Sequence, residues 1–92
     1  MYDLFLSLPM CVTYILYSER IDVYYVGSTS NLEDRLIRHN SGRSTYTKRG
    51  IPWAVVYRKE YETKSESYQA ELYIKSQKSR KCIEKLIGKS KV

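Results

Sequence analysis

The sequence contains only two cysteines, and neither has the spacing of a metal site or of a disulfide framework. Cys11 falls in a run of β-branched and aromatic residues, whereas Cys82 falls in a lysine-rich segment far along the chain. Isolated cysteines of this kind are typical of proteins in a reducing compartment. We therefore expect two free thiols and a cytoplasmic location.

Long hydrophobic runs are also missing. No stretch of about 18 apolar residues occurs, which argues against a transmembrane helix and against a membrane partner. Residues 1–9 are apolar but lack the basic start of a signal peptide and are too short for one, so we expect an N-terminal extension there. The 92-residue chain then has room for one folded domain, predicted at residues 10–88, and for a basic tail at residues 89–92.

The net charge of +6 indicates a polyanionic partner such as nucleic acid, and the positive side chains are concentrated in two clusters. In the first cluster, basic residues alternate with hydroxyl residues that can bind phosphate oxygens, which favours nucleic-acid binding. Its basic members are Arg38, Arg43, Lys48 and Arg49, and its hydroxyl members are Ser41, Ser44, Thr45 and Thr47. For the second cluster, a solvated helix surface is an equal alternative to nucleic-acid binding. It consists of Lys75, Lys78, Arg80, Lys81, Lys85, Lys89 and Lys91.

Three short segments rich in β-branched and aromatic residues predict strands. Residues 11–17 and 22–27 are separated by S-E-R-I, which is short enough for a hairpin connection. Residues 53–57 follow Pro52 and are the third segment. We therefore predict a small three-stranded antiparallel sheet in an α+β fold with about three flanking helices.

The first helix is predicted to begin near Leu32, because residues 28–31 offer hydroxyl and amide groups that can cap it. Its spacing places Arg35 and His39 one turn apart on one face. The apolar residues expected on its inner face are Leu32, Leu36 and Ile37. The second helix is predicted to begin at Ser65, and the third to run from Ser79 to Gly88.

Two tyrosine triplets, V-T-Y at residues 12–14 and Y-V-G at residues 25–27, precede the run S-T-S-N-L-E-D-R-L-I-R-H-N. This ordered series resembles the GIY-YIG endonuclease superfamily, and within it the small standalone bacterial proteins related to the nuclease domain of the excision-repair subunit UvrC. The resemblance continues through residues 41–57 and 65–81 and covers roughly residues 11–87. It implies the GIY-YIG nuclease fold and an endonuclease acting on DNA, with a role in repair or recombination.

The resemblance also implies a catalytic set. Tyr14, Tyr25, Arg35 and Glu71 match the family positions, and His39 falls where relatives carry histidine or tyrosine. Glu71 would hold Mg²⁺ or Mn²⁺, since such an ion takes one carboxylate and keeps several waters. Arg35 would clamp phosphate, and Tyr14 is the expected base. The expected nucleic-acid contacts are Arg38, Arg43, Lys48, Arg49, Lys75 and Lys78.

Two positions depart from the pattern. Ser28 stands where UvrC-like domains have lysine, and Ile83 falls near the place of a late asparagine. A catalytically weak module that binds DNA or RNA is therefore an alternative, as is an interaction protein that depends on a partner. Arg35 could instead pair with acidic helix neighbours, and His39 could cap the helix C-terminus. Substrate choice, oligomeric state and a partner that supplies specificity stay open.

Overall fold

The computed structural model describes residues 11–90. Both the predicted extension at residues 1–9 and the last two residues of the predicted tail lie outside this range. The strands are β1 (Cys11–Ser18), β2 (Val23–Thr29) and β3 (Trp53–Tyr61), and the helices are α1 (Leu32–Asn40), α2 (Lys64–Ser76) and α3 (Arg80–Ser90). A short 3-10 helix, Lys48–Gly50, precedes β3. The predicted α+β fold, with three antiparallel strands and three helices, is confirmed.

The sheet has the order β2-β1-β3, so β1 is central and pairs antiparallel with both neighbours. Successive side chains of a strand point to opposite faces, which divides the core into two layers. On one face, Tyr14 and Leu16 pack with Leu32 of α1. On the other face, Ile15 packs with Ile74 of α2, and α3 packs against this second layer.

The predicted start of α1 is confirmed, because the Asn31 side chain accepts a 3.0 Å hydrogen bond from the backbone N–H of Asp34. Leu32 is buried and Leu36 packs against the core, as predicted. The inward placement of Ile37 was wrong, since this side chain is 61% exposed. A helix of this length buries only a narrow stripe, and Ile37 falls beside it.

The boundaries of the other two helices differ slightly from the predictions. α2 begins at Lys64 because Thr63 and Glu66 form a capping box, so Ser65 lies inside the first turn. The start of α3 after Ser79 is confirmed, and the Ser79 hydroxyl accepts a 3.3 Å hydrogen bond from the Cys82 N–H. The predicted end at Gly88 was wrong, since α3 continues to Ser90.

Hydrogen bonds from side chains to the backbone fix the helices against the sheet. Thr13 on β1 donates a 2.7 Å hydrogen bond to the carbonyl oxygen of Ser67 on α2. At the end of α1, the Asn40 amide bonds both backbone groups of Trp53, with 3.0 Å to the carbonyl oxygen and 2.6 Å to the N–H. Hydrogen bonds that are wholly or partly buried are costly to break, so α1 and α2 are held in defined positions on opposite faces of the sheet.

Candidate active site

Tyr14 and Tyr25 form the centre of a cluster on the α1 face of the sheet. Their ring centroids lie 6.5 Å apart, and the Tyr25 ring meets the His39 ring edge-on at 4.8 Å. Tyr14 pairs across the sheet with Gly27. A Cβ atom at Gly27 would lie 2.6 Å from the Tyr14 hydroxyl oxygen, so glycine is what allows the tyrosine to occupy this place.

His39 lies beneath the tyrosines and is only 3% exposed. Its Nε2 lies 3.5 Å from the Tyr14 hydroxyl oxygen, and its Nδ1 lies 2.9 Å from Oγ1 of Thr47. When Nδ1 donates to Thr47, Nε2 presents its lone pair to the Tyr14 hydroxyl. The imidazole therefore contacts the tyrosine cluster and does not cap the helix. The cap of the last turn is Ser41, which donates hydrogen bonds to the carbonyl oxygen of Arg38. Thr47, expected among the phosphate contacts, is buried as the partner of His39.

The pKa of Tyr14 reflects its burial and the charged groups around it. Burial raises the pKa of Tyr14 to about 12, and the neighbouring Tyr25 and Glu71 act in the same direction. The Arg35 guanidinium opposes this shift, both through its charge and as a hydrogen-bond partner. Arg35 forms no ion pair with any side chain in residues 11–88. The alternative, in which Arg35 pairs with acidic neighbours on the helix surface, was therefore wrong. The Tyr14 phenol is protonated at neutral pH in this arrangement.

Glu71 lies on the opposite face of the sheet, and its charge raises the pKa of Tyr14 from there. Gly27 faces α1, so the next residue, Ser28, faces α2. The Ser28 hydroxyl donates a 2.7 Å hydrogen bond to Oε1 of Glu71, and Lys75 donates one of 2.5 Å to Oε2. The departure from the family pattern at position 28 therefore supplies a neutral group that orients the glutamate, where a lysine would have brought a charge.

A divalent metal is compatible with this carboxylate. In the described part of the chain, no three histidine, cysteine, aspartate or glutamate side chains converge, so Glu71 would be the single protein carboxylate on the ion. Mg²⁺ accepts such a site, because it keeps several waters and takes further oxygen ligands from a substrate phosphate. Because Lys75 already donates a hydrogen bond to Oε2 of Glu71, an ion that binds this oxygen would have to displace Lys75.

Two open grooves meet at Tyr25. The first, of about 370 Å³, is lined by Tyr25, Arg35, His39 and Ser44, together with Arg38 and Arg43 from the predicted phosphate contacts. The second, of about 630 Å³, runs along β2 and the ends of α2 and α3, and Lys75 and Lys78 line it. Lys48 and Arg49 are exposed in the 3-10 helix and line neither groove.

Tyr46 is a residue of the second groove that sequence reasoning missed. It is 88% exposed, although an aromatic side chain is costly to leave in water. In a chain with ten tyrosines, its residue type carries no signal. Its exposure becomes apparent only once the loop is placed beside β2.

Arg80, which we grouped with the second basic cluster, has a structural role. Its guanidinium donates to Asp22 at 2.6 Å and to Glu84 at 3.2 Å, and it lies 5.0 Å from the centre of the Tyr24 ring. These contacts fasten α3 to the β1–β2 connection. The charge of Arg80 is thereby neutralised, in contrast to that of Lys78, which forms no ion pair in residues 11–88.

Comparison with known proteins identifies the family. A family model for the GIY-YIG catalytic domain matches residues 10–85. The chain belongs to the GIY-YIG family. The nucleases of this family act on nucleic acid and commonly use divalent metals. No helix in residues 11–90 combines the length and the apolar character needed to cross a membrane.

Relatives within the GIY-YIG family are small standalone bacterial proteins, which confirms the predicted branch. The chain is 42% identical to a UPF0213 protein of Bacillus cereus over 53 residues, or 56% of this chain and 55% of that protein. It is 36% identical to a UPF0213 protein of Streptococcus pneumoniae over 56 residues, or 60% of this chain and 57% of that protein. The chain thus spans little more than half the length of these relatives. No solved structure matches it.

The only histidine allows a direct test of the cluster. Burial, followed by the charges of Arg35 and Arg38, holds the pKa of His39 below its ordinary value of 6.5. As pH falls below that value, the unfolded chain takes up a proton that the folded protein refuses, so the free energy of unfolding should decrease. Well above pH 6.5, His39 should not change the free energy of unfolding with pH.

The measurement is an NMR titration of the imidazole signal in untagged protein, alongside denaturant unfolding between pH 5 and 8, a range of about one unit or more on either side of an ordinary histidine pKa. His39→Gln should show a shallower loss of stability in acid than the wild type. A pKa of His39 at or above its ordinary value would contradict the buried, neutral imidazole.

Proposed function

We propose that this protein is a metal-dependent endonuclease that hydrolyses phosphodiester bonds of DNA. The observation that carries the proposal is the convergence of three groups from different elements on one tyrosine. Arg35 from α1, Glu71 from α2 and Tyr25 from β2 all act on the pKa of Tyr14. A carboxylate for a metal ion, a permanent cation for phosphate and two phenols form a chemically complete set for phosphodiester hydrolysis.

The two grooves that meet at Tyr25 provide a path for the substrate backbone. Arg38 and Arg43 lie on one side of this residue, and Lys75 and Lys78 lie on the other. A strand running through both grooves would present its scissile phosphate to Arg35. Since backbone contacts carry no sequence information, binding through these residues would be strongly salt-dependent and weakly selective. Selectivity would then come from substrate shape or from a protein partner.

In the proposed reaction, water attacks the phosphorus atom and the bond to the 3′ oxygen breaks, with no covalent enzyme intermediate. Arg35 stabilises the charge that gathers on the phosphoryl oxygens. A Mg²⁺ or Mn²⁺ ion held by Glu71 would supply Lewis-acid stabilisation of the leaving oxygen. The rest of the chemistry is proton transfer by the tyrosine cluster.

Tyr14 and His39 together can accept the proton that water loses. The Tyr14 phenol is protonated at neutral pH, so it cannot act as a base by itself. The imidazole, held neutral by its environment, lies next to the phenol oxygen. We infer that Tyr14 takes the water proton as it passes its own to Nε2 of His39. Tyr14 is fully buried, and Arg35 is a hydrogen-bond partner of its phenol. Water can therefore reach the phenol only after Arg35 has turned away from it toward the phosphate.

The experiment that tests the function is cleavage of a substrate panel with Mg²⁺, with Mn²⁺ and with chelator. The panel comprises supercoiled, linear, branched and single-stranded DNA, together with RNA. We expect metal-dependent products from at least one DNA substrate and none with chelator. Binding that falls with salt but yields no product on any substrate would favour the catalytically weak nucleic-acid-binding module. Absence of salt-sensitive binding would favour the partner-dependent interaction protein.

A further inference from the structure

We propose that Lys75 competes with the divalent cation for Glu71, and that its release couples cation binding to nucleic-acid binding. The inference rests on the proposed function, since it takes Glu71 as the carboxylate that holds the ion. It concerns a residue that lines a groove beside the site and contacts the carboxylate as well. Lys75 would therefore determine how tightly Glu71 binds the ion, and its release on binding of nucleic acid would favour ion binding.

The hydrogen bonds of Glu71 show which oxygen the ion must use. Oε1 accepts from the Ser28 hydroxyl on the sheet side, and Oε2 accepts from the Lys75 ammonium on the groove side. The Glu71 side chain is only 12% exposed, whereas that of Lys75 is 49% exposed. A cation arriving from solvent therefore meets Lys75 first. Since both cations need Oε2, binding of one disfavours binding of the other.

Lys75 can leave Glu71 without any movement of the backbone. The two residues are one helical turn apart on α2, and lysine has a long flexible stem with a compact charge. The groove that Lys75 lines also contains Lys78, and it runs away from the carboxylate along β2. An ammonium released from Glu71 can thus turn into this groove and meet a phosphate there.

Arg80 differs from Lys75 although it lines the same groove. Its side chain is held by Asp22 and Glu84 and also packs over an aromatic ring, so contacts with three residues would have to break before it could move. Lys75 is held by one carboxylate alone. Lys75 is therefore the cation in the groove that can alternate between two anionic partners.

Thermodynamic linkage then couples the two ligands. A phosphate that draws Lys75 into the groove frees Oε2 for the divalent cation, and the cation in turn frees Lys75 for phosphate. Each ligand should raise the affinity of the other by the same factor. Removing the ammonium should tighten cation binding in the absence of nucleic acid, and it should also reduce this mutual effect.

The test measures Mn²⁺ binding by calorimetry and by electron paramagnetic resonance, with no reaction taking place. We compare the wild type with Lys75→Gln and with the matched control Lys78→Gln, which removes the same charge from the same groove but no contact with Glu71. Lys75→Gln should bind Mn²⁺ about 5-fold more tightly or better, at the lower end of typical coupling effects. Lys78→Gln should match the wild type. Equal or weaker binding by Lys75→Gln would overturn the proposal.

Coupling is measured by repeating the titrations with a duplex whose backbone is fully phosphorothioate-substituted, to suppress cleavage while keeping its charge. The duplex should tighten Mn²⁺ binding more in the wild type than in Lys75→Gln, and equal effects would overturn the coupling. Glu71→Gln separates the two proposals. If it binds Mn²⁺ like the wild type, the metal assignment in the proposed function fails. If it loses Mn²⁺ while Lys75→Gln is unchanged, only the role of Lys75 fails.

Discussion

Glu71→Gln should lower the rate of metal-dependent cleavage by about 10³-fold or more. Glutamine keeps the shape of the side chain and an oxygen that can accept the Ser28 hydrogen bond, but it loses the charge that attracts a divalent cation. Lewis-acid stabilisation is worth several kcal/mol, and roughly 1.4 kcal/mol corresponds to a tenfold rate change. The measurement is single-turnover cleavage of the best substrate from the panel, at saturating protein.

A matched control distinguishes the loss of a ligand from a general change in charge. Glu62→Gln removes a carboxylate from an exposed position on the connection before α2, outside both grooves. Its cleavage rate should equal that of the wild type. Unfolding curves and salt-dependent DNA binding should be alike for all three proteins. Cleavage by Glu71→Gln at the wild-type rate would remove Glu71 from the mechanism.

Arg35→Ala should lower turnover by about 10²–10³-fold while weakening DNA binding much less. The guanidinium is placed beside the Tyr14 hydroxyl, in the groove that Arg35 lines together with Tyr25. Its charge therefore acts where negative charge develops, and the loss of one such donor typically has an effect of this size. Most of the binding energy would still come from the other basic residues of the grooves.

The informative comparison for Arg35 is with Arg38. It lines the same groove, but it is exposed and lies three residues later on α1. Arg38→Ala should weaken binding and reduce its dependence on salt by about one phosphate contact, with turnover nearly unchanged at saturation. Binding and single-turnover rates are measured for both variants over a range of salt concentrations. If Arg35→Ala loses binding in proportion to turnover, Arg35 is a docking contact.

Several local features were accessible from sequence because they depend on neighbouring residues. The capping group before α1 and the start of α3 at Ser79 follow from hydroxyl and amide side chains at the right positions. The start of α2 was predicted at Ser65, but the helix begins at Lys64 because Thr63 caps it. Thr63 and Glu66 have the spacing of a capping box, and the structure shows both of its reciprocal hydrogen bonds.

Contacts between distant residues were not accessible in the same way. Thr47 belonged to a loop whose hydroxyl groups suited phosphate binding, yet it is buried against His39. Ser28 appeared only as a departure from the family pattern, and its hydrogen bond to Glu71 joins residues 43 positions apart. Their partners are set by the packing of α1 and α2 on the sheet, which composition and spacing do not describe.

The sequence by itself determined the number and order of the strands and helices, the family and the residue types available for chemistry, because these follow from local periodicity, capping and an ordered motif. Only the tertiary structure decided how they meet. Antiparallel pairing sets Tyr14 against Gly27, and strand alternation turns Gly27 toward α1 and Ser28 toward α2. The sheet therefore brings Glu71 and Arg35 from opposite layers to one tyrosine, since register and layer packing are properties of the whole fold.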